Sequence, residues 1–120
     1  MKIAFTTTGD SPDSPLDPRF GRATGFLVHD TETNSFEAFS NTRNLNAVQG
    51  AGIQAAQNLA TLGVEALVTG HCGPKAFTVL SRAGIKVYNT DLTTVSQALK
   101  AFQNGELTAA VSADSESHWV

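Results

Sequence analysis

The sequence predicts an α/β domain of three layers: a five-stranded mixed sheet in the strand order 3-2-1-4-5, with helices on both faces. Three observations carry this prediction. The first forty residues hold three β-rich runs joined only by turns. The period then changes, and two further apolar runs alternate with segments of helical spacing. The resulting order is βββαβαβα, and right-handed crossovers put the later strands on the far side of the first one.

Lys2 to Thr8 has apolar residues on both sides of its alternation, as a strand buried on two faces requires. Gly9 to Pro18 is a turn-rich loop with three prolines, three aspartates and two serines. Phe26–Asp30 and Phe36–Ser40 read as a hairpin pair, with Thr31–Ser35, containing Asn34, as the turn. Gly50-Ala51-Gly52 opens a helix carrying Ile53, Ala56, Leu59 and Ala60 on one face, and Gly63 stops it. Ala66–Thr69 is a short buried strand. Pro74 suits a first helical position, and Phe77, Leu80 and Ala83 continue an apolar face up to Gly84. Ile85–Tyr88 is the last strand. Val95, Ala98, Leu99 and Phe102 give the stripe of a third helix, closed by Asn104-Gly105. Residues 1–112 form one domain; residues 113–120 are polar, lack periodicity and are expected to be a mobile tail.

Composition excludes several function classes. The length suits one domain that buries its own core without a disulfide or structural metal. The single cysteine, Cys72, excludes an internal disulfide, a zinc finger and a cysteine-held iron–sulfur cube within one chain. The net charge of −3 disfavours bulk nucleic-acid binding. No apolar run is long enough to span a bilayer, and the N-terminal run turns polar at Thr6, so a cytoplasmic location is expected.

In the predicted topology strands one, three, four and five point the same way. Four loops then gather at one edge: Gly9–Arg22, Asn41–Gly52, Gly70–Lys75 and Asn89–Thr94. Open α/β sheets bind ligands outside the carboxyl ends of their strands, where the strand order reverses. These loops hold Arg19, Arg22, Arg43 and Lys75, half of the eight basic residues, and two helices start there, at Gly50 and at Gly73-Pro74. Helix starts and arginine forks both favour anions. Asp10, Asp13, Asp17 and Asp91 partly cancel that charge. The residues alone leave open an anion cradle or a set of ordinary solvated loops. Cys72 is equally open: a thiolate at a helix start with His71 beside it, or a small buried hydrophobe.

Asp17-Pro18-Arg19-Phe20-Gly21-Arg22-Ala23 resembles the signature early loop of the dinitrogenase iron–molybdenum cofactor biosynthesis family. Gly50-Ala51-Gly52, Gly70-His71-Cys72-Gly73-Pro74-Lys75-Ala76 and Ala83-Gly84-Ile85-Lys86-Val87-Tyr88 resemble its other blocks in order, so the resemblance runs from residue 2 to about residue 105. It implies a ribonuclease-H-like sandwich and a non-catalytic carrier of an anionic molybdenum-containing metal–sulfur cluster. That cluster is either iron–molybdenum cofactor-like or, as the short stand-alone form suggests, a molybdenum–copper–sulfide cluster held without covalent attachment. The implied cofactor-binding residues are Arg19, Arg22, Asn41, Arg43, Gly50, Gly52, His71, Gly73 and Lys75, with Cys72 as the candidate metal contact. The expected partner is the inorganic cluster, with a protein partner for delivery or complex formation left open, and neither nucleic acid nor membrane.

Two rivals are weighed against this. A two-metal nuclease needs converging carboxylates, yet Ile3–Thr8 has none, and a cysteine phosphatase needs an arginine where Thr78 stands. A small hydrolase is therefore disfavoured. A ligand-free protein–protein interaction module using the same loops stays open.

Overall fold

The computed structural model describes residues 1–21, 23–41 and 51–111. The predicted tail at 113–120 and the predicted site residues Arg22, Arg43 and Gly50 lie outside the described residues. The elements follow the predicted order: β1 Lys2–Thr7, β2 Gly25–Asp30, β3 Ser35–Ser40, α1 Ala51–Thr61, β4 Ala66–Thr69, α2 Pro74–Arg82, β5 Lys86–Asn89 and α3 Val95–Gln103.

They form one five-stranded sheet in the order β3-β2-β1-β4-β5. β1 pairs antiparallel with β2, as β2 does with β3, whereas β1–β4 and β4–β5 are parallel. β1, β3, β4 and β5 therefore point the same way, and the chain reverses its building direction between β1 and β4.

Alternation along the inner strands sorts their side chains between two cores. Ala4, Phe26, Val28, Leu67 and Val87 face α1 and α2, packing with Ala55, Ala56, Leu59, Ala76 and Leu80. Ile3, Phe5, Leu27, Ala66 and Val68 face α3, packing with Val95 and Ala98. Among the described residues, two helices thus pack on one face and one helix on the other, which is why β1 and β4 read as apolar on both sides of the pleat.

The helix ends follow from residue chemistry. Gly63, Gly84 and Gly105 all take a positive φ, the left-handed conformation that costs glycine least. The hairpin turn places Asn34 at φ 56, and Ser35, expected in the turn, already belongs to β3. Two face assignments differ from the sequence reading. Ala60 is exposed and Ala55 takes its place against the sheet, while Ala83 is an exposed helix cap. Alanine is small enough to sit on either side of a stripe, so it marks a face poorly.

Candidate functional site

The carboxyl ends of β1, β4 and β5 carry a loop that runs across them. Pro15–Phe20 is held to its neighbours by backbone bridges: Thr7 to Leu16, Pro15 to Thr94 and Arg19 to His71. The His71 N–H donates to Pro18 O at 2.6 Å, and the Phe20 N–H donates to His71 O at 3.0 Å. The loop approaches so closely that a Cβ on Gly70 would lie 2.5 Å from Pro18 O. Asp17, itself buried, accepts the Arg19 N–H through Oδ1 at 2.9 Å and so shapes the turn through Pro18. Phe20 anchors the far end: its ring is buried and packs 5.7 Å from that of Phe26.

This ladder divides the edge into two depressions. On one side Gly21, Gly52, Ile53, Gly73, Pro74 and Lys75 line a cavity of ≈ 370 Å³. The starts of α1 and α2 meet there, beside the point where strand order reverses. On the other side Pro18, His71, Asn89, Asp91, Leu92 and Thr93 line an open groove of ≈ 610 Å³.

The two helix starts at the β4–β5 end of this edge are opposites. At α3 every early donor is taken. Thr94 Oγ1 accepts the Gln97 N–H and Gln97 returns the bond to the Thr94 N–H, a complete capping box. The Val95 and Ser96 N–H groups donate to the carbonyls of Ser14 and Pro12. At α2 the cap is Gly73, which offers no side chain, and Pro74 has no N–H at all. The Lys75 and Ala76 N–H groups follow, and among the described residues they have no acceptor. Helix geometry leaves such donors free for an anion.

Charge supports the same side. Lys75 and Arg19 are exposed, and among the described residues neither pairs with a carboxylate; the one ion pair there joins the N-terminal amine to Glu65. No three His, Cys, Asp or Glu residues come together as a metal-ligating set among the described residues. The described part of the edge offers N–H donors and cations.

The model of the dinitrogenase iron-molybdenum cofactor family matches residues 1–105. The chain belongs to this family. The matched span takes in all four loops of the edge. The chain is similar to an uncharacterized protein of Methanocaldococcus jannaschii, 34% identical over 110 residues and 89% of each chain. Among solved structures it is similar to the apo form of the orange protein from Desulfovibrio gigas. That match is 43% identical, with a TM-score of 0.92, and covers 95% of this chain and 96% of the other. A Thermotoga protein of the DUF35 family is 33% identical at a TM-score of 0.81, covering 95% and 98%. The strand order read from sequence is the order this chain adopts, in a fold that matches that of the orange protein.

The predicted site residues do not all come together. Gly52, Gly73 and Lys75 share the smaller cavity. Arg19 is exposed on the ladder beside it. His71 lines the larger groove on the opposite side. Asn41, 1% exposed, directly follows β3, and its amide donates to Ala23 O at 2.8 Å, pinning the return from the first loop. Cys72 is 1% exposed and belongs to the buried cluster that also holds Phe20, Phe26, Leu67 and Ala76. Gly21 and Ile53, absent from the sequence-based set, line the cavity. Gly21 lies within the family block at Asp17–Ala23, which was the available signal. Nothing in the spacing of Ile53 separates a cavity wall from a core contact.

Proposed function

We propose that this chain binds and carries an anionic, molybdenum-containing metal–sulfur cluster without turning over a substrate. The cargo is a molybdenum–copper–sulfide cluster or one resembling the iron–molybdenum cofactor, and the cradle is the cavity where α1 and α2 begin. The observation that carries this reading is the uncapped start of α2 beside Lys75, set against the fully satisfied start of α3. Among the described residues, the fold saturates one helix start with its own groups and leaves the other open.

The chemistry of the lining fits such a cargo. Sulfido and oxo ligands at a cluster surface accept hydrogen bonds, and the Lys75 and Ala76 N–H groups are donors. Lys75 and Arg19 supply compensating charge. Glycines at 21, 52 and 73 let the backbone come close to a bulky guest. Ile53 and Pro74 give the cavity an apolar part to its wall. A volume of ≈ 370 Å³ lies in the range of small-molecule sites, roughly 300–1,000 Å³. Cys72 lies behind this surface in the core and supports it by packing. Among the described residues no helix is long and apolar enough to cross a membrane, and we place the carrier in the cytoplasm. A protein that supplies or receives the cluster would meet the same edge.

The test is reconstitution. Protein mixed anaerobically with tetrathiomolybdate and copper should take up a coloured cluster that co-elutes on gel filtration at a fixed metal-to-protein ratio. Colour that separates from the protein on the column, under every loading condition, would remove the cluster-carrier reading.

A further inference from the structure

We propose that Thr6 and Thr69 are positioning residues: a pair of buried hydroxyls that latches the first loop over the sheet and sets where Arg19 stands relative to the start of α2. The importance of Arg19 to cargo rests on the cluster reading above; the latch itself does not.

Both threonines are 0% exposed, on the adjacent parallel strands β1 and β4, one step beyond the Phe5–Val68 pair. The three residues before each of them, Ile3–Phe5 and Ala66–Val68, are apolar, and valine would fill the same space with better strand propensity. A hydroxyl buried there costs stability unless it is hydrogen-bonded. Thr6 Oγ1 lies 2.7 Å from Asp17 O and 2.9 Å from Thr69 Oγ1. A hydroxyl has one hydrogen, and a carbonyl can only accept. Thr6 therefore donates to Asp17 O and takes the hydrogen of Thr69.

Asp17 is held through all of its polar parts. Its N–H donates to Thr6 O at 2.7 Å, its C=O accepts from the Thr6 hydroxyl, and its carboxylate accepts the Arg19 N–H. The next residue, Pro18, accepts the His71 N–H, and Phe20 donates back to His71. His71 is two residues from Gly73, the open cap of α2. The hydroxyl pair thus sits at the root of a continuous chain of bonds that ties Arg19 to the free helix start. Removing the Thr6 hydroxyl leaves the strands packed but leaves Asp17 C=O without its side-chain donor.

The experiment has two arms. In the first, hydrogen exchange is followed at the Phe20 and His71 amides in Thr6→Val, Thr69→Val and Thr6→Ser. The latch predicts exchange faster by about tenfold or more at both amides in Thr6→Val, the scale of one lost buried hydrogen bond. Thr69→Val should act in the same direction more weakly, Thr6→Ser should protect as the natural residue does, and the Val28 amide should serve as an unaffected reference. Unchanged exchange at Phe20 and His71 would overturn the latch.

The second arm measures affinity for the cluster assembled from tetrathiomolybdate and copper. Thr6→Val should lose about tenfold, and its effect should largely vanish in an Arg19→Ala background, because both changes remove one interaction. A Phe36→Ala control, remote from the edge, supplies a comparable loss of thermal stability without the affinity loss. Additive effects of Thr6→Val and Arg19→Ala, or an equal affinity loss in the control, would refute the positioning role. If the natural chain takes up no cluster, the carrier proposal fails, and the exchange arm alone decides the latch.

Discussion

Gly70→Ala is the most informative single change at the sheet edge. An added Cβ would lie 2.5 Å from Pro18 O and 2.6 Å from Pro18 Cα, where ordinary contact begins at 3.4 Å. Both neighbours are backbone, so no side-chain rotation relieves the clash. The loop must back away by close to 1 Å, which breaks or stretches the 2.6 Å bond from His71 N–H to Pro18 O. Overpacking of this kind costs about 1–3 kcal/mol, and each weakened backbone bond adds about 0.5–1.5 kcal/mol. The expected loss is about 2–4 kcal/mol from a total of about 5–15 kcal/mol, or roughly 10 °C in thermal midpoint. Urea denaturation measures it, with an unchanged m-value showing that only stability moved. Gly63→Ala is the comparison, since Gly63 has φ +79 and nothing within 4 Å. That change meets only backbone strain of about 1–2 kcal/mol. A Gly70→Ala protein within about 0.5 kcal/mol of the natural one would refute the close approach on which the ladder depends.

Other outcomes follow from the same geometry. Arg19→Ala and Lys75→Ala should each weaken cluster retention at low ionic strength. The gap from the natural protein should close in 1 M salt, where screening acts within about 3 Å; gel filtration with metal analysis at several salt concentrations reads this. Thr94→Ala removes the capping box of α3 and should cost about 1 kcal/mol of stability by urea denaturation, with cluster uptake unchanged, since that helix start faces its own loop. The Asp30 carboxylate accepts the Glu32 N–H, and chiefly for that reason its pKa is lowered. Its contribution is therefore fully present above the unfolded-state value and fades as pH falls through the lowered one. Asp30→Asn should differ from the natural protein in denaturation midpoint at neutral pH and converge on it in strong acid.

The topology was legible because three independent signals agreed: the hairpin turn at Asn34, the glycines that end the helices, and the change of period after Ser40. The doubly buried run Lys2–Thr8 pointed to a central strand, and β1 is central. The site was legible as an edge but not as a surface. The helix start at Gly73-Pro74 was legible because a proline at the first helical position announces itself in sequence. Phe20 sits in a charged loop in the sequence and is an anchor in the fold, because only the folded chain brings the Phe26 ring against it. The Asn41 amide is spent on Ala23 O, a bond that spacing cannot foretell. Thr6 and Thr69 are 63 positions apart, and the partnership of their hydroxyls exists only once β1 and β4 are neighbours. For Cys72 the sequence left packing and ligation equally open, and the fold places the residue within the buried cluster beneath α1 and α2.

The central claim is that an open helix start and two cations hold a cluster that no side chain ligates. The most direct measurement is uptake by the natural protein and by Cys72→Ala, each loaded with tetrathiomolybdate and copper, then analysed for metal, sulfide and visible spectrum after gel filtration. The account predicts the same spectrum and the same metal-to-protein ratio in both. A natural protein that emerges colourless contradicts the carrier function, and a Cys72→Ala protein that alone loses the cluster contradicts the non-covalent cradle.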